Sequence, residues 1–327
     1  MTCLTRIDSY QQAEQQWQAL LPLCASDTLF TTPQWQRIWW EQFGLGLEML
    51  LLGFEDDSRI EGIAPLARSN GTITFAGSQD LFDYNDFLVS DQAETRFYSC
   101  LITHLEGEKW DTLRLSSLSE SSPTLAHLPA LARERGYVVE VQEEDVAPGL
   151  ELPADWDAYL ETLSKKDRHE LKRKLRRLYS SDKDVRCYSV WQADEVESSL
   201  EDFFRLMRFS KEAKDHFLTG PREQFFRSVA KEMASAGVFR LFFMEMNGQR
   251  VSSAMCFDYG HSRLLYNSGY DPEYRYYSVG LLVKAFALRD AIENGKTYFD
   301  FLRGSEPYKY DLGGKDRTLY EMVVKRS

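Results

Sequence analysis

The sequence predicts a mixed α/β chain in two successive parts. Three observations carry this. The length of 327 residues is about twice a common domain. Charge is unevenly divided: residues 1–150 hold 9 Lys+Arg against 23 Asp+Glu, whereas residues 151–327 hold 30 against 28. Stretches with helical and with strand periodicity also alternate along both parts. The expected domains are therefore 1–150 and 151–327. The segment "VAPGLELPADWDAY" (146–159), with two prolines and a glycine, reads as the linker between them.

Composition narrows the class. Hydrophobic residues make up 43% and charged residues 28%, values of a globular chain, which excludes a largely disordered or collagen-like one. No apolar run approaches the roughly 18 residues of a membrane span, "LEMLLLGF" (47–54) having only strand length. The start "MTCLTRIDSYQQAEQQW" lacks a basic region followed by an apolar one, so no signal peptide is expected and a cytoplasmic location is. The five cysteines are far apart and form no CxxC, which predicts reduced thiols. The five histidines lack metal-ligand spacing, so no metal is expected.

Residues 8–21 read as a helix with Trp17, Leu20 and Leu21 inward. "TPQWQRIWWEQFG" (32–44) reads as a second, with Thr32 as cap, Pro33 at the first helical position and Gly44 as stop. Strands follow at 48–54, 59–66 and 72–75. "DLFDYNDFLV" (80–89) reads as loop plus strand, its aspartates solvated. A helix near 92–105, a strand at 110–116, a helix near 123–135 and a strand at 137–142 complete the first part. It holds no nucleophile elbow, Walker loop or GxGxxG.

In the second part, helices are expected at 156–163, 165–179, 194–212 and 222–236. Strands are expected at 238–246 and 250–260, joined by the hairpin pair Asn247-Gly248, and at 262–270. Leu281, Leu282, Ala285, Phe286, Leu288 and Ile292 have helical spacing, and Asn294-Gly295 ends that helix. Strands at 297–302 and near 319–325 close the chain. The helix "LSKKDRHELKRKLRRL" (163–178) carries eight basic residues against Asp167 and Glu170, with Leu171, Leu175 and Leu178 on one face. From Lys165 to Arg177 it offers a surface for an anionic ligand or RNA, or else a solvated amphipathic face.

This order of meander, helix and strand resembles the GNAT acyltransferase fold. Its phosphate-loop signature, Gln/Arg-x-x-Gly-x-Gly/Ala, is matched at Arg275 and Gly280 of "RYYSVG", with Ser278 in place of the middle glycine. "FDFLRGSEPYKYDLG" (299–313) resembles the DF-x-x-G-x-x-x-YK signature of CelD-like acetyltransferases, a subfamily associated with exopolysaccharide and cellulose loci. Asp300, Phe301, Gly304, Tyr308 and Lys309 match. The basic helix, "TPQWQRIWWEQFG" and "IEGIAPLARS" extend the resemblance over most of the chain. Tandem GNAT-like domains are shared with Fem-type aminoacyltransferases.

The resemblance implies two GNAT-like domains, each a mixed, mostly antiparallel sheet flanked by helices. It also implies an N- or O-acetyltransferase using acetyl-CoA or another acyl-CoA. Amides near Ser278, Val279, Gly280 and Leu281 would hold the pyrophosphate, with Arg275 adding charge. Tyr266 and Asn267 would contact the acyl group or acceptor, and Arg303 and Glu306 the substrate. Tyr308 would act as general acid, Asp300 as base or orienter, and Lys309 on a phosphate or carboxylate. An alternative is a Fem-like transferase with aminoacyl-tRNA on the basic helix. A third reading is a non-catalytic binding protein of this fold.

Overall fold

The computed structural model of the protein describes residues 4–56 and 59–326. Contacts divide it into two compact units, Met1–Val146 with Arg317–Ser327, and Ala147–Asp316.

The first unit opens with β1 (Leu4–Arg6), α1 (Tyr10–Leu20) and α2 (Pro33–Phe43). The side chains of Ser9 and Thr32 cap the two helices, and Pro33 starts the second, as its sequence requires. Next come β2 (Glu48–Asp56), β3 (Arg59–Ser69), β4 (Thr72–Phe75) and the short β5 (Leu88–Val89). Then α3 (Glu94–Gly107), β6 (Thr112–Ser119), α4 (Pro123–Glu134) and β7 (Val138–Val146) complete this stretch.

The second unit begins within the expected linker, at β8 (Gly149–Glu151), which pairs with a later strand. Composition concealed this strand, because its glycine serves packing rather than a turn: a Cβ on Gly149 would lie 2.0 Å from the Tyr298 hydroxyl. α5 (Trp156–Thr162) and the basic α6 (Lys165–Tyr179) follow, and Leu171 and Leu178 of α6 are buried as their spacing predicts. After β9 (Val185–Val190), the helix expected at 194–212 forms and ends two residues early. α7 (Ala193–Ser210) stops at Lys211, which is extended, and α8 (Glu212–Phe217) restarts the chain. α9 (Gly220–Ser235) leads into β10 (Phe239–Met246), β11 (Gln249–Tyr259) and β12 (Ser262–Tyr270). Asn247 and Gly248 both take the left-handed conformation that the hairpin turn requires.

A 3₁₀ turn at Pro272–Tyr277 delivers the chain into α10 (Val279–Glu293), followed by β13 (Tyr298–Asp300) and α11 (Pro307–Asp311). The sheet order is β8-β13-β12-β11-β10-β9. Its pairs are antiparallel except β12 with β13. Alternate strand residues serve its two faces. Phe242, Met244, Ala254, Cys256 and Leu265 join the core with α10. α7 crosses β12 so closely that a Cβ on Gly269 would meet the Met207 nitrogen at 2.3 Å. Buried Arg263 ties sheet to helix: it donates to both Asp258 carboxylate oxygens (2.7 and 2.9 Å), to Asp290 and to the Ala287 carbonyl.

The last strand, β14 (Thr318–Lys325), lies where the sequence placed it but in the first unit's sheet. That sheet runs β1-β2-β3-β4-β6-β14-β7, with β5 also on β3. The compact units therefore meet the 150/151 division only near Val146, and the C-terminal residues join the first. Met322 and Val324 enter its core. Glu321 accepts from Arg114 (2.8 Å), Ser116 (3.0 Å) and Gln142 (3.1 Å).

Two expectations are corrected here. Cys24, Cys187 and Cys256 are free thiols, but Cys100 is disulfide-bonded, and Cys3 lies outside the described residues. Sequence spacing is silent on such a bond, which depends on tertiary approach. Asp86, expected among solvated acids, is buried and accepts from Ser122 (2.5 Å), Thr124 and the Phe87 amide (2.8 Å). Its burial raises the carboxyl to about 6, against the pull of these donors.

Met322→Ala should destabilise the protein by about 2–5 kcal/mol in urea unfolding, because it empties a core site. Asp86 binds its proton more tightly folded than unfolded. Its contribution is therefore full below about pH 4 and is lost as pH rises through 6. Unfolding at pH 4 and 7 should show Asp86→Asn gaining stability relative to wild type as pH rises.

Candidate active site

The parallel pairing of β12 with β13 lasts three residues, from Ser262–Tyr298 to Leu264–Asp300, and then ends. Beyond it the Asp300 carboxylate accepts the Leu302 amide at 2.8 Å, and Leu302 itself is left-handed (φ 60°). The chain turns away from β12, so the sheet opens. The Lys309 ammonium, buried inside this turn, donates to the carbonyls of Leu302 (2.8 Å), Arg303 (2.6 Å) and Gly304 (2.8 Å). It also pairs with Glu306 at 3.0 Å. Burial pushes the Glu306 carboxyl up, but the charge and hydrogen bond of Lys309 outweigh this and hold it below its usual value.

On the other side of β12 a bulge makes Tyr266 the extra residue between Leu265 and Asn267. Its ring packs on Phe226 and Phe257, with centroids 5.9 and 5.7 Å apart. Asn267 Oδ1 accepts from its neighbour's amide (2.8 Å) and from Lys214 (2.9 Å), which also donates to the Ser268 carbonyl.

A cleft of about 290 Å³ lies at the start of α10. Its walls include Arg275, Ser278, Val279, Gly280, Leu281, Glu306 and Tyr308 from the sequence-expected set. Lys211, Lys214 and Lys284 are added by the fold. Ser278 is left-handed (φ 58°, ψ 32°), the conformation glycine adopts most readily. Its carbonyl takes the Leu281 and Leu282 amides, while the two preceding amides, of Val279 and Gly280, belong to the first turn that has no intrahelical acceptor. The Ser278 hydroxyl accepts from Arg177 of α6 at 2.7 Å, and the same guanidinium sits 4.8 Å from the Tyr276 ring centroid. Lys284 donates to the Gly280 carbonyl (2.5 Å) and lies 4.5 Å from the Tyr308 ring centroid. Burial, with repulsion from neighbouring lysines, lowers Lys214 to about 8 and Lys284 to about 7.

The structure thus brings together the α10 start, Glu306 and Tyr308. It does not put Tyr266, Asn267, Asp300, Arg303 or Lys309 on the cleft wall. The lysines escaped sequence reasoning. A signal was present for Lys284, a charged residue inside the apolar run "VGLLVKAFAL". Lys214 had none, since its place follows from the break at Lys211. Among the described residues no cluster of His, Cys, Asp and Glu could hold a metal ion, and no helix is long and apolar enough to cross a membrane.

Residues 165–310 match the family model of the acetyltransferase (GNAT) domain. No curated protein matches the sequence. Among solved structures, the crystal structure of FemX covers 97% of this chain and 96% of its own at 12% identity, with a TM-score of 0.67. The C-terminal domain (DUF2156) of a putative lysylphosphatidylglycerol synthetase from Agrobacterium fabrum covers 98% and 93% at 8% identity, with a TM-score of 0.62. A tandem GNAT protein from the clavulanic acid biosynthesis pathway covers 99% and 98% at 13% identity, with a TM-score of 0.52. At such identities the likeness is one of fold. The fold is a pair of GNAT-like domains in tandem, and the cleft lies in the segment that matches the acetyltransferase domain.

Lys309→Ala should cost about 3 kcal/mol in urea unfolding, because it removes the buried donor of three successive carbonyls, the half-exposed Glu306 pair adding little. A residue serving only the chemistry would leave the unfolding midpoint unchanged.

Proposed function

We propose that the protein is an acyltransferase that moves an acyl group from acyl-CoA, acetyl-CoA first among them, to an amine or hydroxyl. The observation that carries this is the α10 start, with left-handed Ser278 and Arg177 bonded to it, beside a sheet that opens between β12 and β13. Amides of Val279 and Gly280 and the charges of Arg177 and Arg275 suit a pyrophosphate. The opened sheet suits an extended thioester arm.

The acceptor's lone pair attacks the thioester carbonyl, the carbon–sulfur bond breaks, the acceptor's N–H or O–H proton leaves to solvent, and the departing thiolate takes a proton from a donor that solvent recharges. Tyr308, on the cleft wall, is the group we assign to give that proton. Lys309 and Asp300 act as positioning residues. They hold the 302–304 turn, and with it α11 and Tyr308. A cytoplasmic setting, where acyl-CoA is made, accompanies this reading, although the Cys100 disulfide is uncommon in that compartment. The CelD-like signature makes a saccharide or exopolysaccharide precursor one acceptor to assay.

A second reading is favoured by one observation. Basic α6 reaches the cleft through Arg177, which would let an aminoacyl-tRNA donor lie along Lys165–Arg177. The FemX and lysylphosphatidylglycerol synthetase folds lend it weight. A catalytically silent protein of this fold is the outcome if neither donor binds.

Calorimetric titration should show saturable binding of acetyl-CoA and free CoA, weakened about tenfold in Arg275→Ala and Arg177→Ala. Tyr308→Phe should lower kcat about 10²-fold or more with KM little changed. Absence of CoA binding alongside salt-sensitive binding of aminoacyl-tRNA would transfer the assignment to the second reading.

A further inference from the structure

The cleft holds four cationic side chains, Lys211, Lys214, Lys284 and Arg275, and one acid, Glu306. That acid is already paired with Lys309. The imbalance is built from separate elements: Lys211 and Lys214 arrive because α7 breaks at Lys211, and Lys284 projects from α10. An ammonium carries three donors. Lys214 places two, on Asn267 and Ser268, and Lys284 places one, on Gly280. The neutral acceptors anchor the side chains and leave donors and charge for the cleft. Lys284 stands against the face of Tyr308, one helical turn beyond the Gly280 amide that we assign to the donor's phosphates.

We propose that Lys211, Lys214 and Lys284 receive a compact anionic group, carboxylate or phosphate, carried by the acceptor. This deepens the acyl-transfer reading and rests on it. The acceptor is then an amine or hydroxyl compound bearing its own anion, such as an amino acid, a peptide carboxyl end or a sugar phosphate. A neutral sugar would leave the three lysines only the Glu306 carboxylate, which Lys309 already shares, as counter-charge. Burial first, and then the neighbouring lysine charges, oppose protonation of Lys284 and Lys214, and a bound anion offsets both. Binding therefore takes up protons near neutrality, and tightens as pH falls from 8 towards 6.5.

Inorganic phosphate, and separately succinate, are titrated calorimetrically into free and CoA-saturated protein at pH 7.5, in two buffers of different ionisation heat. The expected result is saturable binding that persists with CoA present, with net proton uptake. It weakens about fivefold in Lys211→Ala, which alters an exposed side chain, and is lost in Lys214→Gln and Lys284→Met checked for folding by circular dichroism. The stronger of the two probes tells phosphate-bearing from carboxylate-bearing acceptors. Displacement of both probes by CoA would overturn the proposal and give the lysines to the donor. No binding, or binding indifferent to the three variants, would also overturn it. The CoA titration in the same series tests the acyl-CoA reading by itself. Silence there with lysine-dependent anion binding to the free protein would remove that reading and, with it, the acceptor role, while marking the lysines as another ligand's anion site.

Discussion

The three-residue pairing of β12 with β13 is the constraint on which the second unit's cleft depends. Parallel strands left to run would have closed the sheet over the start of α10. Instead Asp300 accepts the Leu302 amide, and Leu302 takes a backbone conformation unfavourable to a branched aliphatic residue. A local cost of that kind persists only where surroundings enforce it. Here the enforcing group is the buried Lys309 ammonium, which gathers three successive carbonyls and the Glu306 carboxylate. Opening the sheet and placing Tyr308 are thus two results of one folded turn.

The same unit fixes α10 from its far side. Arg263 has no exposed surface, yet its guanidinium is shared among two aspartates and a helix carbonyl. A buried charge so thoroughly paired gives little net stability but makes misplacement costly. The helix start therefore stays at the cleft. There its first amides, Ser278 and the Arg177 guanidinium form an anion-favouring end, while the lysines collect beside Tyr308. Charge that the whole chain carries as negative is locally positive where the chemistry is assigned.

The first unit shows how connectivity departs from a simple division of the sequence. β14 lies between β6 and β7 and bonds along both. Without it those strands would present unpaired edges. The polar group that it brings, Glu321, is satisfied by Arg114, Ser116 and Gln142 of the two strands it joins. Its apolar side, through Met322 and Val324, completes the core.

Periodicity, caps and turn residues by themselves determined most elements: Thr32-Pro33 begins α2, Asn247-Gly248 turns the β10–β11 hairpin, and the leucines of α6 face inward. These are local preferences, expressed within a few residues of the group that causes them. The motif residues Arg275, Ser278, Gly280 and Tyr308 were legible for the same reason, being close in sequence to one helix start and one turn. Tertiary structure alone decided the rest. It gave β14 to the first unit, made a strand of Gly149–Glu151, turned Lys309 inward and Tyr266 aside, bonded Arg177 to Ser278 and brought three lysines to one cleft. Each of these depends on partners tens to hundreds of residues away, and on burial that makes a charge seek the nearest acceptor. A sequence read along its own length contains the charge, but the acceptor is chosen only when the chain is folded.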